Sequence, residues 1–550
     1  MRILTLRPST WLRERPTIGL SLAPATWASR AVIGLPAVAS FAIYLATMAP
    51  SVVGLDSAEL TTGAFTMGIV HPTGYPLFLL LARLALFLPF GSAAYRVNLL
   101  SALFGALTVA LTALLARRLT GRLWTSWVAG LGLAVAPSFW RMSLIAEVYT
   151  LHTFFLAAIL FLAHVALTTG NRRWLAVCAL VYGLSLSNHV SGVFYAPFVA
   201  WLAFRMRPVR GTASYILQLA GCFSLGLLPY IYLPIRYAAD PALNYMRDSY
   251  HVDLRTPAGL WWMVSGQAYR IFSFGYDWAG YVSELMQFAG LVWRNFTGLG
   301  VLLGVAGLGR GLARRDPLTL GGAFIFSGFV LFFSGYAVAD KETMFLPALV
   351  VWSLWMAQGA LVIASTFARW GESWLGAPSL LPRLLKGTLL CTGFLAVGLR
   401  WSQVDLSRAR QAETYGRQIL ASAQRDAIVI GSWSSAVVLE YLQQVEQLRP
   451  DVQVFNRSRF EVAEYYLGWS RGLAHEAIMT GILEREMALV EEGLSQGRAI
   501  MSVEYNPWLG TAFRFTPAGT VFEVSRRADS SLVSAAVDIQ ATDAVQEIRK

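Results

Sequence analysis

Runs of apolar residues recur along the first three-quarters of the chain, and short polar gaps rich in arginine separate them. A helix crossing the hydrocarbon core of a bilayer needs about 20 such residues, with some tolerance either way. Spans are expected at 31–49, 97–116, 123–139, 148–168, 174–187, 190–204, 214–234, 287–309, 318–337, 344–366 and 388–400. Residues 174–204 read either as two short helices hinged at Asn188 and His189 or as one long helix, and the last span is short. After Trp401 the pattern becomes that of a soluble unit. Residues 405–424 carry an amphipathic helical period, 427–430 read as a buried strand, and 431–435 open a helix that runs through Val445. Arg449, Pro450 and Asp451 turn the chain into a second strand at 452–455, and 498–524 alternates as a hairpin around a turn at 516–519.

The pattern predicts a mainly α, polytopic transmembrane fold of about eleven spans with a small α/β C-terminal domain. Its parts are a leader at 1–30, a transmembrane domain with outer loops at 31–400, the α/β domain at 401–527, and a polar tail at 528–550. Composition agrees: 56% apolar and 14% charged residues exclude an ordinary soluble domain. The net charge of +12 would suit a nucleic-acid binder. The arginines, however, fall in clusters between apolar runs: Arg117, Arg118 and Arg122; Arg172 and Arg173; Arg205, Arg207 and Arg210; Arg310, Arg314 and Arg315; Arg369, Arg383 and Lys386. That is the positive-inside pattern of a membrane protein, so no nucleic-acid partner is expected. Arg2, Arg7, Arg13, Arg15 and Arg30 precede the first span and place the N-terminus in the cytoplasm. Eleven crossings then put the C-terminal domain outside. Cys178, Cys222 and Cys391 lie in apolar runs and form no disulfide framework.

With that topology, unusual polar residues gather on the exterior face. Asp56 and Glu59, three apart on a helix, share one side. Ionisable groups beside lipid are costly to hold. The pair therefore suits a general base with an orienting or metal-binding partner, the competing reading being a helix cap with Ser57. His71, before a proline, is a base, a phosphate contact or a loop-structuring donor, with Tyr75 close behind it. Arg96, Arg141, Arg236 and Arg270 are the cations available to a lipid phosphate, although each also suits an interfacial anchor. Asn188 and His189 line a cavity or form a polar hinge, and Glu147 is a further pocket candidate. The loop from Arg236 to Met286 carries Trp261, Trp262 and Gln267, as in an interfacial helix or a sugar-binding surface. His152 and His164 have no spaced partners for a metal. The Gly/Ser loop at 431–435 is a poor match to a nucleotide fingerprint.

Several motifs together resemble a known family: Asp56-Ser-Ala-Glu59, His71-Pro-Thr-Gly-Tyr-Pro-Leu77, Arg96-Val-Asn-Leu-Leu-Ser101, Ala146-Glu-Val-Tyr149, Asn188-His189, Leu228-Pro-Tyr-Ile-Tyr-Leu-Pro-Ile-Arg236 and Gly266-Gln267-Ala-Tyr-Arg270. They resemble a bacterial membrane family of unassigned function whose eukaryotic relative is a transmembrane protein O-mannosyltransferase acting on plexin-type receptors. The likeness covers most of 31–350, and Asp340-Lys-Glu342 also fits it. It implies the GT-C fold, a plasma-membrane location, and transfer of a sugar from a polyprenyl-phosphate carrier to a protein or glycan hydroxyl on the non-cytoplasmic face. It also implies an essential acid in the first outer loop, Asp56 first and Glu59 second. Some enzymes of this fold require a divalent cation and others do not, and no ligand set in the sequence decides between them. The alternative is a transporter or lipid-glycan flippase, which predicts inverted repeats and ionisable groups at mid-span. Neither feature stands out here.

Overall fold

The computed structural model describes residues 27–338, 340–375 and 380–527. Arg2, Arg7, Arg13 and Arg15 of the leader and the tail at 528–550 lie outside the described residues. Helices dominate, and every stretch expected to span falls on helix. Among the described residues six are long and apolar enough to cross a bilayer: Ala93–Thr120, Val148–Thr169, Trp278–Ala313, Pro317–Ser334, Lys341–Gly371 and Leu381–Val404. The stretch at 214–234 is a pair, Thr212–Gly226 and Leu228–Ala238, bent by 44° at a break, and makes a seventh if counted as one span. The stretch at 31–49 falls on Trp27–Thr47, of which Gly34–Thr47 is a short apolar helix, and those at 123–139, 174–187 and 190–204 fall on shorter helices. Between the last two, His189 is extended at φ −154° and ψ 128°, so residues 174–204 are two helical pieces rather than one.

Close helix packing comes from glycine. Lipid tails are as apolar as leucine, so helices in a bilayer gain by close approach, which small residues permit. Trp278–Ala313 packs along Leu346–Leu375, and the backbones meet at Gly307 and Gly359. A Cβ on Gly307 would lie 1.8 Å from the Trp355 carbonyl oxygen, and one on Gly359 would lie 1.8 Å from that of Leu303.

The C-terminal unit is a five-stranded sheet with flanking helices. Its strands are β1 (Ile428–Gly431), β2 (Gln453–Asn456), β3 (Ile500–Ser502), β4 (Phe513–Ala518) and β5 (Val521–Arg526), in the order β2-β1-β3-β5-β4. β1 is parallel to both β2 and β3, and β5 is antiparallel to β3 and β4. All four residues of β1 are buried, which explains its unbroken apolar sequence. Two local expectations shift. The first helix begins at Gln411 rather than at 405, because the Asp405 carboxylate instead accepts the Ser407 N–H at 2.9 Å in a turn. The hairpin turns at Gly519, whose φ of 70° suits glycine, while Thr516 and Pro517 pair with Glu523 and Phe522 within the sheet.

This unit docks on the start of the membrane part. The helix Trp433–Gln444 lies against the short helix Asp56–Thr66. Val52, Ala58, Ala93 and Ala94 share one apolar cluster with Val437, Val438, Tyr441 and Leu442. Each Val or Leu fully buried there stabilises the contact by about 1.5–3 kcal/mol. At the edge of this contact Ser51 donates a hydrogen bond to Glu413 at 2.5 Å.

Candidate active site

The Asp56–Thr66 helix starts abruptly. Leu55 before it takes φ 62° and offers no side-chain cap, so Asp56 and Glu59 stand alone in the first turn, where the helix dipole favours negative charge. The capping alternative with Ser57 is not what forms. Glu59, 1% exposed, accepts the His71 backbone N–H at 2.8 Å and the ring Nδ1–H at 2.5 Å. The other ring nitrogen, Nε2, is 2.9 Å from the Tyr75 hydroxyl and 3.9 Å from an Asp56 carboxylate oxygen. Burial alone would lower the His71 pKa, but the negative charges of Glu59 and then Asp56 outweigh it and raise it to about 9. His71 is therefore an imidazolium at neutral pH. The Asp56 carboxyl is pushed above its ordinary value chiefly by burial, the His71 charge opposing the shift, Glu59 adding to it and the Trp433 hydrogen bond opposing it.

The Pro72–Pro76 bend aims Tyr75. Gly74 sits at φ 82°, and Tyr75 itself is left-handed at φ 43°, a costly conformation for a bulky residue. A Cβ on Gly74 would press on Met263 at 2.7 Å and Leu233 at 2.9 Å, so the bend is also tightly packed. The Tyr75 ring is thereby stacked on His189 with centroids 5.8 Å apart. His189 in turn accepts the Ser191 N–H, and Ser191 and Tyr195 reach His152 at 3.1 and 2.9 Å, which ties down the hinge.

Above these residues lies a cavity of about 840 Å³, within the range of small-molecule sites. Three parts of the chain wall it. The segment between Thr47 and Ala93 and the membrane helices supply Asp56, His71, Tyr75, Tyr149, His189 and Phe333. The long loop supplies Trp261, Gln267, Tyr269 and Arg270, and Tyr336 and Asp340 come from farther along. The α/β domain supplies Trp433, Ser458 and Arg459. The Trp433 indole N–H donates to Asp56 at 3.1 Å. Arg459 pairs with buried Glu440 at 3.0 Å and lies 4.3 Å from the Tyr245 ring centroid, a fixed cation at the cavity wall.

Of the residues expected at the site, Asp56, His71, Tyr75, His189, Gln267 and Arg270 line this one cavity. Glu59 stands behind His71. Arg96 donates to the Leu86 and Leu88 carbonyls at 2.5 and 2.9 Å, and Arg236 to that of Met67 at 2.7 Å, so both fasten backbone rather than face the cavity. Arg141 is exposed on the Pro137–Met142 helix. Glu147 is buried beside Ser101, and Asn188 donates to the Val148 carbonyl at 3.2 Å. Arg270 makes no ion pair among the described residues and is exposed towards the cavity.

Sequence reasoning missed Trp433 and Arg459. One signal was present: Glu440 is an acid among the apolar residues of its helix, and a buried acid calls for a buried cation. The Gly/Ser loop at the start of that helix is filled internally, since Glu504 accepts the Ser432 N–H at 3.2 Å and hydroxyl at 2.8 Å where a phosphate would sit. As for a metal, Asp56, Glu59 and His71 each offer an atom within 4.8 Å of the others. A cation there would have to displace the Glu59–His71 pair, because both facing atoms are already spent on each other.

Residues 56–210 match the family model described as the Protein O-mannosyl-transferase TMEM260 N-terminal domain. The mouse (Mus musculus) Protein O-mannosyl-transferase TMEM260 is 30% identical over 481 residues, 80% of this chain and 65% of that protein. The Dictyostelium discoideum protein of the same name is 26% identical over 227 residues, 38% of this chain and 27% of that one. The chain thus spans less than two thirds of the length of these curated relatives, to which it is homologous. Among solved structures, ArnT from Cupriavidus metallidurans bound to undecaprenyl phosphate aligns at a TM-score of 0.55 and 13% identity, covering 92% of this chain and 99% of that one. The fold is therefore ArnT-like, of the GT-C class, and the protein is integral to a membrane.

Proposed function

We propose that this protein is a GT-C-type membrane glycosyltransferase that moves a sugar, mannose being the first to test, from a polyprenyl-phosphate carrier to a protein or cell-envelope hydroxyl. The observation that carries the reading is the placement of the Asp56 carboxylate. It sits at the wall of the cavity, a quarter exposed, with charged His71 3.9 Å away and Arg270 and Arg459 on the same cavity. The names of the mouse relative and of the ArnT complex supply the chemistry to test: O-mannosyl transfer for the one, undecaprenyl phosphate as ligand for the other.

The reaction is a single displacement. Asp56 accepts the proton of the acceptor hydroxyl as that oxygen attacks the anomeric carbon, and the carbon–oxygen bond to the phosphate breaks with its electron pair leaving on the phosphate. The leaving phosphate needs no proton but does need positive charge, which Arg270, Arg459 and the His71 Nε2–H supply in a site partly closed to water. Glu59 keeps His71 charged and aimed. Tyrosine and tryptophan faces with Gln267 and Asp340 suit the sugar ring. In this reading eleven spans cross a bacterial plasma membrane, the N-terminus is cytoplasmic, and the α/β domain and the cavity face the non-cytoplasmic side. The test is transfer of radiolabelled sugar from a panel of polyprenyl-phosphate donors by purified protein and by D56N. Transfer that D56N abolishes, with donor binding kept, supports the reading; absence of transfer from every donor refutes it.

A further inference from the structure

The α/β domain does more than close the cavity. Its helix Trp433–Gln444 is set down on the Asp56–Thr66 helix through a shared apolar cluster. Gly54, two residues before Asp56, passes so close that a Cβ there would lie 3.1 Å from the Ser434 carbonyl oxygen. The first residue of the docking helix is Trp433, and four contacts fix it. Its backbone N–H donates to Ser458 Oγ at 3.0 Å, its ring meets those of His71 and Tyr245 edge-on at 5.9 and 6.2 Å, and its indole N–H ends on Asp56. Asp56 has no other hydrogen-bond donor at normal distance among the described residues, since His71 Nε2 stands 3.9 Å away. One carboxylate oxygen is therefore held by a residue 377 positions farther along the chain, and the other, 3.9 Å from His71 Nε2, takes no hydrogen bond among the described residues.

We infer that Trp433 is a positioning residue: its indole N–H orients the Asp56 carboxylate, so that the carboxylate is aimed for reaction only when the α/β domain is docked. An N–H donor stabilises a carboxylate over the neutral acid, which counters what burial does to Asp56. An indole suits this task because it donates only and cannot take the proton from Asp56. The inference rests on the glycosyltransferase reading only for its kinetic consequence; the contact itself is independent of the substrate.

The test has two arms on full-length protein in nanodiscs. In the first, the Asp56 carboxyl band is titrated by infrared difference spectroscopy, with assignment by its loss in D56N. W433F keeps an aromatic ring against His71 and Tyr245 but removes the N–H, and should raise the titration midpoint by about one unit. W433H, which keeps a ring donor, should restore part of the shift. In the second arm, sugar transfer by W433F should show kcat lowered about tenfold with KM for the donor within about twofold, the acid limb moving up with the carboxyl midpoint. An unchanged midpoint in folded W433F overturns the inference. Should W433F fail to fold, S458A releases only the main-chain anchor of Trp433 and should shift the midpoint in the same direction, and no shift there overturns it equally. The predicted shift in W433F, together with no sugar transfer by wild-type protein, sinks the glycosyltransferase reading and leaves the positioning role standing.

Discussion

Glu59 grips His71 twice, its two carboxylate oxygens taking the backbone N–H at 2.8 Å and the ring Nδ1–H at 2.5 Å. The grip fixes the loop and the ring at once, and it makes a buried imidazole charged. E59Q keeps the shape and loses the charge, which removes the largest influence raising the His71 pKa and leaves burial opposed mainly by Asp56. The His71 pKa should then fall, and transfer at pH 8 should drop at least tenfold while donor binding weakens. Removing one partner of a buried pair also costs about 3–5 kcal/mol, visible as a lower thermal unfolding midpoint.

The pH dependence follows from the same contact. A histidine held at about 9, against 6.5 when free, contributes stability that is fully present below 6.5 and is lost as pH rises through about 9. Activity should fall along the same alkaline limb. Asp56 must be ionised to accept a proton, and its carboxyl lies above the ordinary 3.8, so the acid limb should lie above that value too. Initial rates from pH 4 to 10 should give a bell with its upper limb near 9. A flat profile to pH 10 would argue against the charged histidine.

D56N removes the proton acceptor without changing size and should lower kcat by roughly 10²–10⁴ with little change in donor binding. D56E moves the carboxylate by one methylene in a position already fixed by Trp433, and should recover little of that loss. Single-turnover transfer from prebound donor separates this loss from a binding defect.

The arginines divide by partner. Arg459 is fixed by Glu440 and Tyr245, whereas Arg270 has no ion-pair partner among the described residues and Arg236 is spent on the Met67 carbonyl. R270A should raise the donor KM, and R459K should do so as well because lysine cannot hold Glu440 and a phosphate in one plane. R236A should instead lower stability and leave KM nearly unchanged. Steady-state kinetics with thermal unfolding on the three variants checks the division.

The apolar runs located the long membrane-domain helices, because length and hydropathy are local properties, but they passed over the ten-residue apolar helix Pro76–Ala85, which is too short to read as a span. The break at Asn188 and His189 was one of two readings the sequence allowed, two polar residues in an apolar run being compatible with a hinge or with one long helix. Likewise, the Asp56, His71, Tyr75 and Gln267 motifs converge on one cavity. What stayed hidden was long-range. Nothing local tells Arg270, which faces the cavity, from Arg96 and Arg236, which bind carbonyls, because the partner in each case is set by how loops cross. Trp433 reads locally as part of a Gly/Ser loop, and its role appears only once the α/β domain is seen to sit on the Asp56 helix.

The crossing of Gly307 and Gly359 gives a prediction about stability that also bears on the site. The helix Leu346–Leu375 follows directly on Lys341–Phe345, which adjoins Asp340 and carries Met344 at the cavity wall. Its position is set by contact with Trp278–Ala313, where each glycine faces the other helix's backbone. A methyl at either place has no flexible side chain to push aside, so the helices must separate. Overpacking of this kind typically costs about 1–3 kcal/mol, with the upper end expected where backbone is the obstacle. G307A and G359A should each lower the thermal unfolding midpoint. Because the two share one crossing, the double variant should cost less than the sum of the singles, the first separation having made room for the second methyl. Gly309, with nothing within 4 Å of its Cβ position, is the control on the same helix: G309A should leave the midpoint unchanged or raise it slightly. Equal effects at Gly307 and Gly309 would mean that the two helices do not meet at the glycine pair.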